Sequence, residues 1–318
     1  MEVSDLSDAR DRMNNADPAR SLLVGRDHSE DGLSFGEIPL HQEICDELES
    51  LVLDALSNSI DSIQEGTRAL EHYDIANLNR GDPPVQFMPL DEFPYSESVS
   101  TLIDRSSFQE TTYDEPRPDI QAIRLEDGNG NLLIGFREYT NRQVVSPSNK
   151  LRVFLAGQEY SRFEREVVTL PSKIDAMYLD GHIIVFNQKQ FEDGFNYVDH
   201  FFDQSEDILD EIEAGPLNVT NMDDFRGWIS NDRRKARKIC QLSEFGIIDE
   251  LDMSTATDII DVHSLGLDIT NGTGGSEISV PNGNKAWDMI KLLNNDHLVS
   301  PVNSEEFQAT GGKRRPPE

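Results

Sequence analysis

The residues of this sequence best placed to do chemistry lie in NDRRKARKIC, residues 231–240. Arg233, Arg234, Lys235, Arg237 and Lys238 stand together there, in a chain whose formal net charge is -32. A basic helix laid along a nucleic-acid backbone neutralises phosphates and releases their counter-ions. Arginine suits that surface better than lysine, because its planar fork bonds a phosphate through two parallel hydrogen bonds. A nucleic-acid phosphate backbone is therefore one expected partner of these five side chains. The competing reading is internal: the same cations would balance the acidic stretch Asp203 to Glu213.

Other constellations are weaker. Asp180, followed by Asn187-Gln188-Lys189, loosely matches the Asp…(Asp/Glu)-x-Lys arrangement, in which two carboxylates hold Mg²⁺ and a lysine steadies the attacked phosphate. Here an amide replaces the second carboxylate and brings no charge to a metal, while Asp180-Gly181 already reads as a turn. A Mg-dependent nuclease using Asp180 and Lys189 is the alternative function. Arg137, Arg142, Lys150, Arg152, Arg162 and Arg165 read as solvated strand edges. The seven histidines are scattered, and Asp199-His200 reads as a packed imidazole beside a local carboxylate. The acidic run 203–213 lacks the ligand spacing of a calcium loop. NGTGGSE (271–277) lacks the lysine and the strand–helix context of a nucleotide loop and reads as a flexible connection. Cys45 and Cys240 form no CxxC and are expected to be buried free thiols. No GxSxG elbow occurs. The sequence thus carries no catalytic residues, metal site or cofactor that can be named.

The elements that must position these residues change period along the chain. Residues 1–36 are polar, acidic and expected to be disordered. A helical and mixed region spans 37–117, with apolar residues at helical spacing from Ile44 to Leu70. VQFMPL (85–90) is a possible strand, but the prolines around it argue against a central position in a sheet. Residues 118–189 read as an antiparallel sheet: six short segments at 120–126, 132–139, 151–157, 163–170, 173–179 and 182–187, with hairpin signals at DGNGN and Asp180-Gly181. From 190 to 310 the period is helical again. Phe191, Phe195, Val198, Phe202, Ile208 and Ile212 form one stripe, Asn221 is a candidate N-cap, and helices follow at 231–242, 256–265 and 286–294. The tail 311–318 should fray. The expected fold is α+β, with N-terminal helices, a central antiparallel β-meander and a C-terminal helical region.

Charge places limits on the setting. Asp and Glu number 60 against 28 Lys and Arg, and the acid is spread through helices and loops. A dispersed acidic surface stays hydrated in concentrated salt, where the Debye length falls to about 3 Å at 1 M. The same surface repels itself in dilute buffer. This predicts a protein of a salt-accumulating, halophilic cell. No segment has the apolar length to span a bilayer, and the N-terminus has no signal-peptide pattern, so a cytoplasmic location is expected.

Three segments together resemble a known family. They are LPSKIDAMYLDGHIIVFNQKQFEDGFNYVDHF (170–201), the basic helix RRKARKI (233–239) and WDMIKLLNNDHLVSPVNSEEFQATGGKRR (287–315). Their order is similar to the KwaB-like family, whose founding members are the second component of the Kiwa anti-phage defence system. The chain departs from that pattern in its long polar N-terminal extension and its acidity. The resemblance implies a cytosolic, non-enzymatic effector that binds DNA and hinders phage replication or expression without cutting it. It also implies recruitment to the inner face of the membrane by a membrane-protein partner resembling the first Kiwa component. A homodimer is the expected assembly. A third possibility is a non-catalytic adaptor that docks a membrane partner through an apolar helix face.

Overall fold

The structure is a computed structural model and describes residues 1–13, 20–27, 32–38, 41–75, 83–104, 109–110, 118–139, 144–145, 153–156, 159–162, 167–168, 172–244, 251–272, 275–294, 297–299 and 306–308. It is an α+β protein. Among the described residues the helices are α1 (Val3–Met13), α2 (Gln42–Gln64), α3 (Ser96–Ile103), α4 (Gln188–Gly194), α5 (Tyr197–Ala214), α6 (Met222–Ser230), α7 (Arg233–Cys240), α8 (Met253–Val262) and α9 (Ala286–Leu293). The strands are β1 (Arg20–Asp27), β2 (Gly32–Ile38), β3 (Leu70–His72), β4 (Val85–Pro89), β5 (Gln109–Glu110), β6 (Pro118–Glu126), β7 (Leu132–Glu138), β8 (Val144–Val145), β9 (Val153–Ala156), β10 (Glu159–Arg162), β11 (Val167–Val168), β12 (Ala176–Leu179), β13 (His182–Val185), β14 (Asp268–Gly272), β15 (Gly275–Ser279), β16 (His297–Val299) and β17 (Glu306–Gln308). The chain divides into two compact units, Met1–Tyr73 with Asp82–Phe195, and Asp74–Gly81 with Asn196–Glu318.

The first unit is built on one sheet in the order β3-β4-β13-β12-β7-β6-β1-β2-β5. Its centre is the antiparallel run β6–β7–β12–β13. Asp180 and Gly181 both have positive φ (45° and 79°), which the two-residue turn of the last hairpin requires. The DGNGN turn is fastened by Asp127, whose Oδ1 accepts from the backbone N–H groups of Asn129 and Asn131 at 2.9 and 2.8 Å. The described residues of the intervening segments at 151–157 and 163–170 pair outside this sheet. β9 pairs with β10, and β8 with β11, in separate two-stranded ribbons. Short alternating segments carry pairing competence but not partner choice, so sequence could not separate ribbon from sheet.

Alternation along the strands decides which helix covers which face. Ile123, Leu125, Leu133, Met177, Leu179 and Ile184 point to one side and pack on Leu48, Val52, Leu56 and Ile60 of α2. A Cβ on Gly135 would stand 2.9 Å from Val52 Cγ2, so the glycine lets α2 approach the sheet. Ile120, Phe136 and the neighbouring residues of the opposite face meet α4, where Phe93, Phe191 and Phe195 pack with ring centroids 5.1–5.7 Å apart. Two expectations change here. Residues 3–13 are helical, with Leu6, Ala9 and Met13 buried in the α2 cluster, although composition led to an expectation of disorder. Three apolar residues at helical spacing sufficed to hold a polar helix. The strand at 85–89 is interior, between β3 and β13, because its prolines lie before it or at its last position, where a missing N–H breaks little of the ladder.

The second unit is helical, with the β14–β15 and β16–β17 hairpins. Most of NGTGGSE is therefore strand, with only 273–274 outside the described residues. The aromatic stripe also divides. Phe191 and Phe195 belong to α4 and its end. Asn196 then turns left-handed (φ 52°), and α5 buries Tyr197, Phe201, Ile208, Leu209 and Ile212, not Val198 and Phe202. Asn221 does precede α6, but its side chain bonds Val280, donating to the carbonyl at 2.6 Å and accepting from the N–H at 3.0 Å. The tail 311–318 lies outside the described residues.

Candidate nucleic-acid interface

RRKARKIC forms α7, and its pattern alternates in pairs. At 100° per residue, 233, 234, 237 and 238 share one arc and 235, 236, 239 and 240 share the other. Ala236, Ile239 and Cys240 are fully buried, which fixes the second arc inward. Lys235 goes with them. It is 9% exposed, its Nζ bonds Asp232 Oδ2 at 2.9 Å, and it lies 5.8 Å over the Trp287 ring. The expectation that all five cations face outward is therefore corrected at Lys235: helical period outranks charge when the neighbours on its arc must be covered.

The other four divide further. Arg237 is half-buried. Its guanidinium lies 5.2 Å over Phe201 and donates to the backbone carbonyl of Ile75. Arg233 and Lys238 are half-exposed and Arg234 is exposed. Asp232 holds the start of the helix by accepting from the Arg234 N–H at 3.0 Å. Burial works against its charge, but the bonds from Lys235 and the Arg234 N–H outweigh it, so the carboxyl sits below the usual range. That anion is needed because Arg233 and Arg234 stand in the first turn, where cations oppose the helix dipole by about 0.3–1 kcal/mol each.

Part of the acidic stretch on α5 is paired by a cation outside α7. Arg226 of α6 bonds Glu206, Asp210 and Glu213 at 2.5, 2.6 and 2.7 Å. No signal in the sequence marked this arginine, since its three partners are distant by 13 to 20 positions. Arg68, which donates to the carbonyls of Pro83, Pro84 and Phe186 at 2.8–3.0 Å, was missed for the same reason.

The remaining candidates do not assemble. Asp180 occupies the β12–β13 turn, where Arg12 pairs with it, and Lys189 pairs with Asp193 at 2.7 Å on α4. The whole of β13 runs between them, roughly 13 Å of strand. Arg137 is no strand-edge cation. It is 2% exposed, its Nε donates to Gln121 Oε1 at 2.7 Å, and burial lowers its pKa to about 10 against the opposing charge of Asp175. Arg142, Lys150, Arg152, Arg162 and Arg165 have no described side chains. His200 packs edge-on against Tyr197 at 5.6 Å, and burial lowers its pKa despite Asp203 nearby, while Asp199 bonds Asn196 instead. Cys45 and Cys240 are buried free thiols. Burial pushes the Cys240 thiol up to about 12. Among the described residues no three His, Cys, Asp or Glu side chains converge as a metal site, and no helix is long and apolar enough to cross a membrane.

No curated protein and no solved structure matches the chain. The family model described as "Kiwa protein KwaB-like" matches residues 119–303, which spans the central strands, α4 to α9 and the basic helix. That is more than half of the chain, and it therefore belongs to the KwaB-like family of Kiwa proteins.

Proposed function

We propose that this chain, a component of the Kiwa anti-phage defence system by family, engages DNA through the outer arc of α7 and hinders phage replication or expression without cutting the strand. The observation that carries the reading is the outer arc itself: Arg233, Arg234 and Lys238 keep surface exposure in a molecule with a net charge of -32. The adverse helix-dipole position of the first two supports it, since a merely structural helix would place acid there. Arg237 is the inner wall of the arc and holds it against Phe201. In this reading the effector works in the cytoplasm as a dimer, with a membrane-protein partner resembling the first Kiwa component that brings it to the envelope.

The two other readings have less support. A nuclease would need Asp180 and Lys189 in one place, and β13 separates them. An adaptor would need an open apolar helix face; among the described residues Val262 is the large apolar side chain left exposed.

The test is a gel shift with duplex DNA over about 0.1–3 M KCl, with and without Mg²⁺. Intact, retarded DNA is expected. The variant Arg233→Gln/Arg234→Gln/Lys238→Gln should lose retention, and its salt slope should fall by roughly one unit per lost phosphate contact. Shortened DNA would favour the nuclease. Equal retention by the triple variant would remove α7 from the interface.

A further inference from the structure

The first unit carries a cavity of about 370 Å³ beside the β6–β7 and β12–β13 turns, which the DNA reading does not use. Arg124, Glu126 and Tyr178 form its polar wall, Ile103 and Leu132 its apolar wall, and Asp180 its rim. Arg124 and Tyr178 flank Ile134 in one cross-strand row, so their side chains leave the same face of the sheet.

Arg124 is 5% exposed. Its Nη1 donates to Glu126 Oε2 at 2.5 Å, and its Nε has no hydrogen-bond partner. A buried N–H without an acceptor is destabilising, and folded proteins retain few of them. An acceptor entering the cavity would repair the defect. The charge of that acceptor is constrained. A free anion on Arg124 would also stand beside the Glu126 carboxylate, while Asp180 at the rim is already paired with Arg12. A neutral, planar group avoids this repulsion if it offers acceptors to the guanidinium and N–H donors to a carboxylate. Guanine has that pattern: its O6 and N7 accept from an arginine fork, and its N1–H and N2 amine donate. The volume lies within the range of small-ligand pockets, and Tyr178 supplies an aromatic wall.

We propose that this cavity binds a guanine base, with Arg124 donating to the O6/N7 edge and the Glu126 carboxylate receiving the N–H donors. The base arrives either as a free nucleoside or displaced from a nucleic-acid strand. The site stands whether or not α7 touches DNA.

The full chain in about 2 M KCl, a salt level at which surface charge is screened, is titrated calorimetrically with guanosine, 7-deazaguanosine, adenosine and inorganic phosphate. Guanosine should bind saturably. 7-Deazaguanosine, which lacks N7, and adenosine, which lacks O6, should each bind about tenfold more weakly or worse, the loss expected for one bidentate pair. These ligand changes leave the fold untouched. Arg124→Met should weaken guanosine similarly, while Arg233→Gln/Arg234→Gln/Lys238→Gln should bind it as the unaltered chain does. A G-containing single strand that competes with guanosine assigns the site to a displaced base; one that does not assigns it to the free nucleoside. Absence of saturable guanosine binding, equal affinity for all three nucleosides, or displacement of guanosine by phosphate would overturn the proposal.

Discussion

Asp175 bonds the Glu138 N–H at 2.9 Å beside the buried Arg137. Burial pushes its carboxyl up to about 6; the Glu138 N–H and the Arg137 guanidinium oppose that rise, and the Glu138 carboxylate adds to it. The folded value lies above the ordinary 3.8, so the folded state holds this proton more tightly than the unfolded chain. The resulting stabilisation is present below the unfolded value and is lost as pH rises through about 6. Asparagine keeps an acceptor for Glu138 and does not titrate. The unfolding free energy of the unaltered protein, relative to Asp175→Asn, should therefore fall by up to about 3 kcal/mol from about pH 4 to about pH 7. Urea titrations of both proteins across that window measure it, and a flat difference would show that Asp175 titrates normally. None of this was legible in the sequence, because Arg137, Asp175 and Gln121 meet only through strand register.

At the scale of elements, α7 depends on one residue. Asp232 caps the first turn and also pairs the buried Lys235. Loss of a cap costs about 1 kcal/mol, and stranding a buried ammonium adds to that. Asp232→Ala should lower stability by about 2–4 kcal/mol in chemical denaturation, while Asp232→Asn, which still caps, should lose less. Equal losses would mean that the ion pair with Lys235, not the cap bond, dominates. The basic cluster, its helical state and its approximate bounds were legible from RRKARKI. The inward turn of Lys235 was legible too, from Ala236, Ile239 and Cys240, had period been weighed before charge. The ribbons β8–β11 and β9–β10 were not, because strand pairing is a long-range choice.

At the scale of the whole molecule the cations are few and several are turned inward. Arg68, Arg124, Arg137, Arg226 and Lys235 bond carbonyls, amides or acids of the protein itself. With 60 acidic residues against 28 Lys and Arg, the compact state repels itself at low ionic strength. Raising KCl from about 0.1 M to about 2 M shortens the Debye length from roughly 10 Å to a few ångströms. The thermal midpoint should rise by 10 °C or more, roughly the effect of a few kcal/mol. An unchanged or falling midpoint in scanning calorimetry would end the halophilic reading.

Composition and period, both local properties, determined the α+β class, the helix at 233–240, the two hairpin turns and the buried thiols. The resemblance of three ordered segments was enough to indicate the family. The burial of Arg137 and half-burial of Arg237, which strands share a sheet, why residues 3–13 are held, and the defect at Arg124 were decided by tertiary structure alone. Each of these depends on groups far apart in the chain meeting at hydrogen-bond or van der Waals distance, and no spacing in a sequence encodes that encounter.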